Sequence, residues 1–170
     1  EKKPCIGLVL IPDRGELWIS DNKDTWCEKK DGLIRKASLQ KNKPLREMTI
    51  VTSKNHKNET LRKLISKIGF RKVNEMGSIG CKIASILRGE CDIYICYSLP
   101  GKSSPKDWDF AAPEAILRAA GGAITNIDNE EIIYGSKNYN QGGIIVATSN
   151  KQAHKNVCSQ IKEIISKNDF

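Results

Sequence analysis

Five side chains in this sequence have the types, and occupy the junctions, that phosphate and metal chemistry requires. Ser53 and His56 fall in "TSKNHKN", Ser78 and Lys82 in "EMGSIGCK", and Asp109 in "KDWDFAAPEAILRAAGG". Hydroxyls, an imidazole, a glycine-rich turn with a lysine, and a carboxylate together suit a phosphorylated ligand with a metal ion. Each residue also has a plain reading. His56 reads as a surface or capping histidine, Ser78 as an N-cap between flexible glycines, and Lys82 as a solvated helix lysine. Asp109 reads as a capping carboxylate favoured by the helix dipole. Convergence on one sheet edge would favour the chemical reading over the plain ones.

That convergence depends on the elements around the five residues. Strands are expected at 48–52, 71–75 and 91–97, each running into one of the three segments. Asn58 opens a helix carrying Leu61, Leu64, Ile65 and Ile68 until Gly69. A second helix carries Ile79, Ile83, Ile86 and Leu87 and closes at Gly89. A third starts at Trp108-Asp109, and its alanines (Ala111, Ala112, Ala115, Ala119, Ala120) allow close packing on its sheet. Strands near 123–127 and 143–148 follow. Asn150 then caps a last helix with Ala153, Val157, Ile161, Ile164 and Ile165 on one face. Strands alternating with helices predict an α/β layered fold, largely parallel. In such sheets ligands gather beyond the carboxyl ends of the strands, where helix N-termini point their N–H groups.

Residues 5–20, "CIGLVLIPDRGELWIS", read as a hairpin turned at "PDRG". An isolated hairpin is marginal in water, and the charged stretch 21–47 offers no further strand. The hairpin therefore reads as the remnant of an antiparallel sheet whose earlier strands are missing, and its uncovered edge invites self-association. The expected division is 1–47, the last strands and linker of a truncated N-terminal α+β domain, and 48–170, a C-terminal α/β domain.

Composition narrows the function classes. The 170 residues are 39% hydrophobic and 28% charged, and no apolar run approaches the ~20 residues that span a bilayer. No membrane partner and no secretory leader pattern are expected. Six irregularly spaced cysteines without a C-x-x-C pair predict reduced thiols in a reducing compartment. The two histidines lie near no cysteine pair, which argues against zinc. The net charge of +8 is scattered, which suits a solvated surface or the steering of a small polyanion. Aromatic residues at 6%, without a recognition motif, argue against nucleic acid.

"WDFAAPEAILRAAGG" resembles the second signature of the inositol monophosphatase-like (sugar phosphatase) superfamily. The resemblance covers residues 48–148 and reaches back to the hairpin. Within the superfamily the chain is most similar to the 3'(2'),5'-bisphosphate nucleotidases. It shares with them "SKNH", "GSIGCK", a Pro-Gly-Lys approach to the Trp-Asp pair, the "APEAIL" wording and a late Asn before "GGIIVAT". The resemblance implies that Asp109 is a Mg²⁺ ligand, with Trp108 wedging its loop; Asp107, at a position where relatives vary, reads as a surface residue. It also implies that Ser53, His56, Ser78 and Lys82 contact the nucleotide, its sugar and the uncleaved phosphate. The implied reaction is metal-assisted hydrolysis of adenosine 3',5'-bisphosphate to AMP and phosphate, serving sulfur metabolism in the cytoplasm.

The chain departs from that pattern in two places. The first family signature, D-P-I/L-D-G-T, occurs nowhere in the 170 residues. With it go the water-activating residues and most metal ligands, so no catalytic residue is assigned here. The chain reads as the C-terminal portion of a larger enzyme, inactive alone. Cys96 stands where many relatives carry an arginine, which removes a bidentate phosphate contact and leaves an inositol monophosphatase or a sugar bisphosphatase as alternatives. A catalytically dead nucleotide-binding domain is the alternative from another class.

Overall fold

The computed structural model describes residues 3–39, 41–54, 58–99 and 104–168. Strands β1 (Gly7–Ile11) and β2 (Glu16–Ser20) form the expected hairpin, joined by a 3-10 turn at Pro12–Arg14. Residues 21–47 then depart from expectation. They supply β3 (Thr25–Lys29) and β4 (Ile34–Lys36), which extend the hairpin into an antiparallel sheet of order β1-β2-β3-β4. The hairpin is therefore not an orphan, because its neighbouring strands lie in the stretch read as strandless. The signal was present but short: Thr25 and Cys27 point inward and Trp26 and Glu28 outward, in the alternation of a half-buried strand. Asp21, whose Oδ1 accepts from the amides of Lys23 and Asp24 at 3.0 and 2.9 Å, shapes the turn before it.

The second sheet contains β5 (Thr49–Ser53), β6 (Lys72–Met76), β7 (Ile93–Ser98), β8 (Ala123–Asn126) and β9 (Gly143–Thr148), in the order β6-β5-β7-β9-β8. β5, β6 and β7 are parallel, while β9 runs antiparallel to both its neighbours. Helices α1 (Glu59–Ile68), α2 (Ile79–Leu87), α3 (Asp107–Ala119) and α4 (Lys151–Ser166) fall where the hydrophobic period placed them. The caps explain two of these starts. The Asn58 side chain accepts from the Leu61 amide, and the Asn150 side chain from those of Gln152 and Ala153. Gly69 ends α1 in the left-handed conformation at φ 67°.

Strand alternation sorts the core into two faces of the second sheet. Val51, Tyr94 and Ala147 face α2 and α3, whose other side meets Ile11, Trp18 and Cys27 of the first sheet. Ile50, Ile93, Ile95 and Val146 face α1 and α4, through Leu61, Leu64, Val157 and Ile161. The order of layers is thus first sheet, α2 with α3, second sheet, α1 with α4. Close approach of α3 to β1 depends on Gly7, where a Cβ would lie 2.6 Å from the Ala112 carbonyl oxygen and 2.9 Å from Ala115 Cβ. The alanine run was expected to seat α3 on its own sheet, and at Gly7 it brings the helix onto the first sheet as well.

Candidate functional site

Because β5, β6 and β7 are parallel, their carboxyl ends share one edge of the sheet, and the helices that follow start there. A cavity of about 630 Å³ opens at that edge. Ser53, Ser78, Lys82 and Asp109 all line it, with Tyr94, Cys96 and Ser98 of β7 among the remaining wall residues. Three separate junctions of the sequence therefore converge on one space. His56 lies outside the described residues.

Lys82 is the cavity's unusual cation. It is only 3% exposed, so the reading of it as a solvated helix lysine is corrected. Its Nζ donates to the Gly77 carbonyl and lies 5.5 Å from the centroid of the Tyr94 ring. Burial lowers its pKa, opposed by the nearby Cys96, Cys81 and Asp109. Among the described residues no carboxylate hydrogen-bonds this ammonium, so the cavity has a buried positive charge suited to an anion. Beside it the Tyr94 hydroxyl is buried without a hydrogen-bond partner. Desolvation drives the Tyr94 pKa well above its usual value, and Cys96 and Ser53 are its polar neighbours. An orphaned buried donor at a cavity wall suits a ligand oxygen.

Ser78 occupies the N-cap position of α2, yet its side chain makes no capping hydrogen bond. Asn58, a wall residue the sequence reading treated only as a cap, also donates from Nδ2 to the Tyr97 carbonyl at 3.0 Å. It thereby ties the start of α1 to β7. Asp109 is the third residue of α3, exposed, with Oδ2 accepting from the Lys106 amide at 2.8 Å. It both caps the helix and faces the cavity.

Two expectations around Asp109 are overturned. Trp108 does not wedge the loop. It is 65% exposed and tilts against Tyr139 at 6.0 Å between ring centroids and 44° between planes. Asp107 is not a surface residue. It is 9% exposed and accepts from the Gly135 amide and from Gln141 Nε2, both at 2.6 Å. The Asp107 amide donates in turn to the Tyr139 carbonyl at 2.9 Å. This carboxylate fastens the β8–β9 connection to the start of α3. Its partners lie about thirty positions away, where no local pattern in the sequence reveals them.

The donor set meets only part of what Mg²⁺ requires. Asp109 is the one carboxylate among the wall residues, and no group of three or more His, Cys, Asp or Glu side chains among the described residues could hold a metal ion. Mg²⁺ takes six oxygen ligands in near-ideal octahedral geometry and keeps several waters. One carboxylate is a contribution to such a site and not the whole of it.

The profile of the inositol monophosphatase family matches residues 1–166. The chain is similar to 3'(2'),5'-bisphosphate nucleotidase 1 of Mus musculus, with 32% identity over 112 residues, covering 65% of this chain and 35% of the relative. It is also similar to inositol monophosphatase 3 of Xenopus laevis, with 28% identity over 177 residues, covering 98% of this chain and 45% of the relative. Among solved structures, an inositol monophosphatase from Zymomonas mobilis superposes with a TM-score of 0.71 at 20% identity, over 94% of this chain and 58% of that one. The chain thus spans less than half of these two curated relatives and under two thirds of the solved chain.

Proposed function

We propose, for a chain that belongs to the inositol monophosphatase family, that it forms the substrate-binding side of a Mg²⁺-dependent phosphatase. The substrate is adenosine 3',5'-bisphosphate, cleaved at its 3'-phosphate to AMP and phosphate. The observation that carries this reading is the cavity in which Ser53, Ser78 and Asp109 surround the buried Lys82 ammonium. Lys82 Nζ neutralises the phosphate that is retained, and the Ser53, Ser78 and Tyr94 hydroxyls hydrogen-bond its oxygens and the sugar. Bound Mg²⁺ would lower the pKa of a water and neutralise the cleaved phosphoryl group, with Asp109 as this chain's contribution to holding it. A single carboxylate does not hold two such ions against water. The reaction then needs acidic residues from polypeptide beyond these 170 residues, and the chain by itself binds without turnover. A cytoplasmic setting in sulfur metabolism fits that substrate.

The test is calorimetric titration of the chain with AMP in the absence of metal. Binding is expected, and Lys82→Met should weaken it at least tenfold, since hydrogen bonds to charged groups contribute about 1.5–3 kcal/mol. Asp109→Asn should leave AMP binding in place but abolish phosphate release by the longer gene product. No binding of AMP, or equal binding by the Lys82 variant, would sink the reading.

A second reading is hydrolysis of inositol monophosphate or of a sugar bisphosphate. It is favoured by Cys96, a neutral wall residue where a nucleotidase-like site would place a guanidinium. Titration with inositol 1-phosphate beside AMP separates the two, and tighter binding of the inositol ester would replace the nucleotide.

A further inference from the structure

Asn140, the asparagine before "GGIIVAT", does not line the cavity, yet its side chain reaches the start of α3. Residues 105–107 and 139–141 run antiparallel there. The Asp107 amide donates to the Tyr139 carbonyl at 2.9 Å and the Gln141 amide to the Pro105 carbonyl at 2.8 Å. Lys106 and Asn140 form the bridge between these two bonds. Tyr139 holds its place at φ 53°, a left-handed backbone that a bulky non-glycine residue rarely adopts. Backbone strain of this kind collects at functional sites, where the surrounding structure enforces it.

Lys106 is the link to Asp109. Its amide donates to Asp109 Oδ2 at 2.8 Å, while Asp109 Oδ1 has no hydrogen bond among the described residues. The Lys106 ammonium donates to Asn140 Oδ1 and, at 3.4 Å, to the Asn138 carbonyl. No ion pair joins it to Asp109, although side chains three positions apart at a helix are neighbours.

We propose that Asn140 and Lys106 are positioning residues for Asp109 as a metal ligand, an inference that rests on the reading of Asp109 given above. The clamp acts in two ways. Through the bridge it fixes the Lys106 amide, which holds Oδ2 and leaves Oδ1 alone to meet a cation. By engaging the ammonium it also keeps a positive charge off the carboxylate. A lysine released to pair with Asp109 would compete with Mg²⁺ for the same negative charge. Groups that orient a ligating carboxylate are worth about 10–100-fold in metal affinity.

Two measurements test this: Mn²⁺ binding by electron paramagnetic resonance on the longer gene product, and amide hydrogen exchange in the 170-residue chain. Asn140→Ala should weaken Mn²⁺ binding by about tenfold and speed exchange at the Lys106 amide, with an unchanged far-ultraviolet circular dichroism spectrum. Asn140→Asp, which still holds the ammonium, should bind Mn²⁺ as the wild type does. The double variant Asn140→Ala/Lys106→Met should bind more tightly than Asn140→Ala, because the competing charge is gone; a merely structural loss would not recover. Asp109→Asn separates the two readings. If it binds Mn²⁺ as the wild type does, Asp109 is not a ligand and the proposal falls with that reading. If Asp109→Asn weakens binding and Asn140→Ala does not, Asp109 stands as the ligand and the clamp is overturned. A double variant no better than Asn140→Ala overturns it too.

Discussion

Asp107 and Asp109 sit two residues apart and do different work. Asp109 faces the cavity, while Asp107 turns inward and holds the Gly135 amide and the Gln141 side chain. Asp107→Asn replaces one accepting oxygen with a donor that meets donors. It should cost about 1–3 kcal/mol in urea unfolding, and an unchanged midpoint would deny the residue its fastening role. His154 is a second case of buried polar function. Its Nδ1 lies 2.8 Å from Thr148 Oγ1, its Nε2 lies 2.8 Å from Thr125 Oγ1, and Cys158 Sγ is 3.5 Å away. Burial pushes its pKa down to about 4 from an ordinary 6.5. The folded protein thus favours the neutral ring, so the stabilisation is complete above pH 6.5 and fades as pH falls toward 4. The shift corresponds to about 3 kcal/mol. Wild-type unfolding free energy should fall by about that much between pH 7 and 4, and His154→Gln should lack that component. His154 is buried beside Val157 and Ile161, a place the sequence reading did not single out, and its two threonine partners belong to other elements.

The helices were the most legible elements, because asparagine caps and a 3.6-residue apolar period act locally. Strands β5, β6 and β7 were found to within a residue or two at each end. β3 and β4 were missed, because five residues of alternation and a three-residue exposed strand are easily hidden among charges, and pairing with β2 and then β3 selects them. The contact of α3 with β1 was hidden for the same reason: an alanine run signals close packing without naming the neighbour. Gly7→Ala would push a methyl group into the Ala112 carbonyl and Ala115. It should cost about 1–3 kcal/mol, read as a lower thermal midpoint. An unchanged midpoint would mean that α3 and β1 do not depend on that approach.

The whole molecule is built so that three junctions, 25 to 56 residues apart in the chain, line one space. If that space is electrostatically tuned to an anion, AMP affinity should fall with ionic strength between 50 and 500 mM salt, by about tenfold or less, since a buried pair is screened less than an exposed one. A complete absence of salt dependence would argue that Lys82 does not meet the phosphate. Residue types and short-range spacing were enough to mark the three junctions, the helix starts and the alternation of strands with helices, because caps, turns and hydrophobic periods are settled by neighbours in sequence. Only the tertiary structure decided that Lys82 is buried, that Asp107 rather than Trp108 holds the loop, and that residues 21–47 add two strands to the hairpin. Those outcomes depend on contacts between distant segments, and burial is a property of the assembled layers that no local stretch of chain encodes.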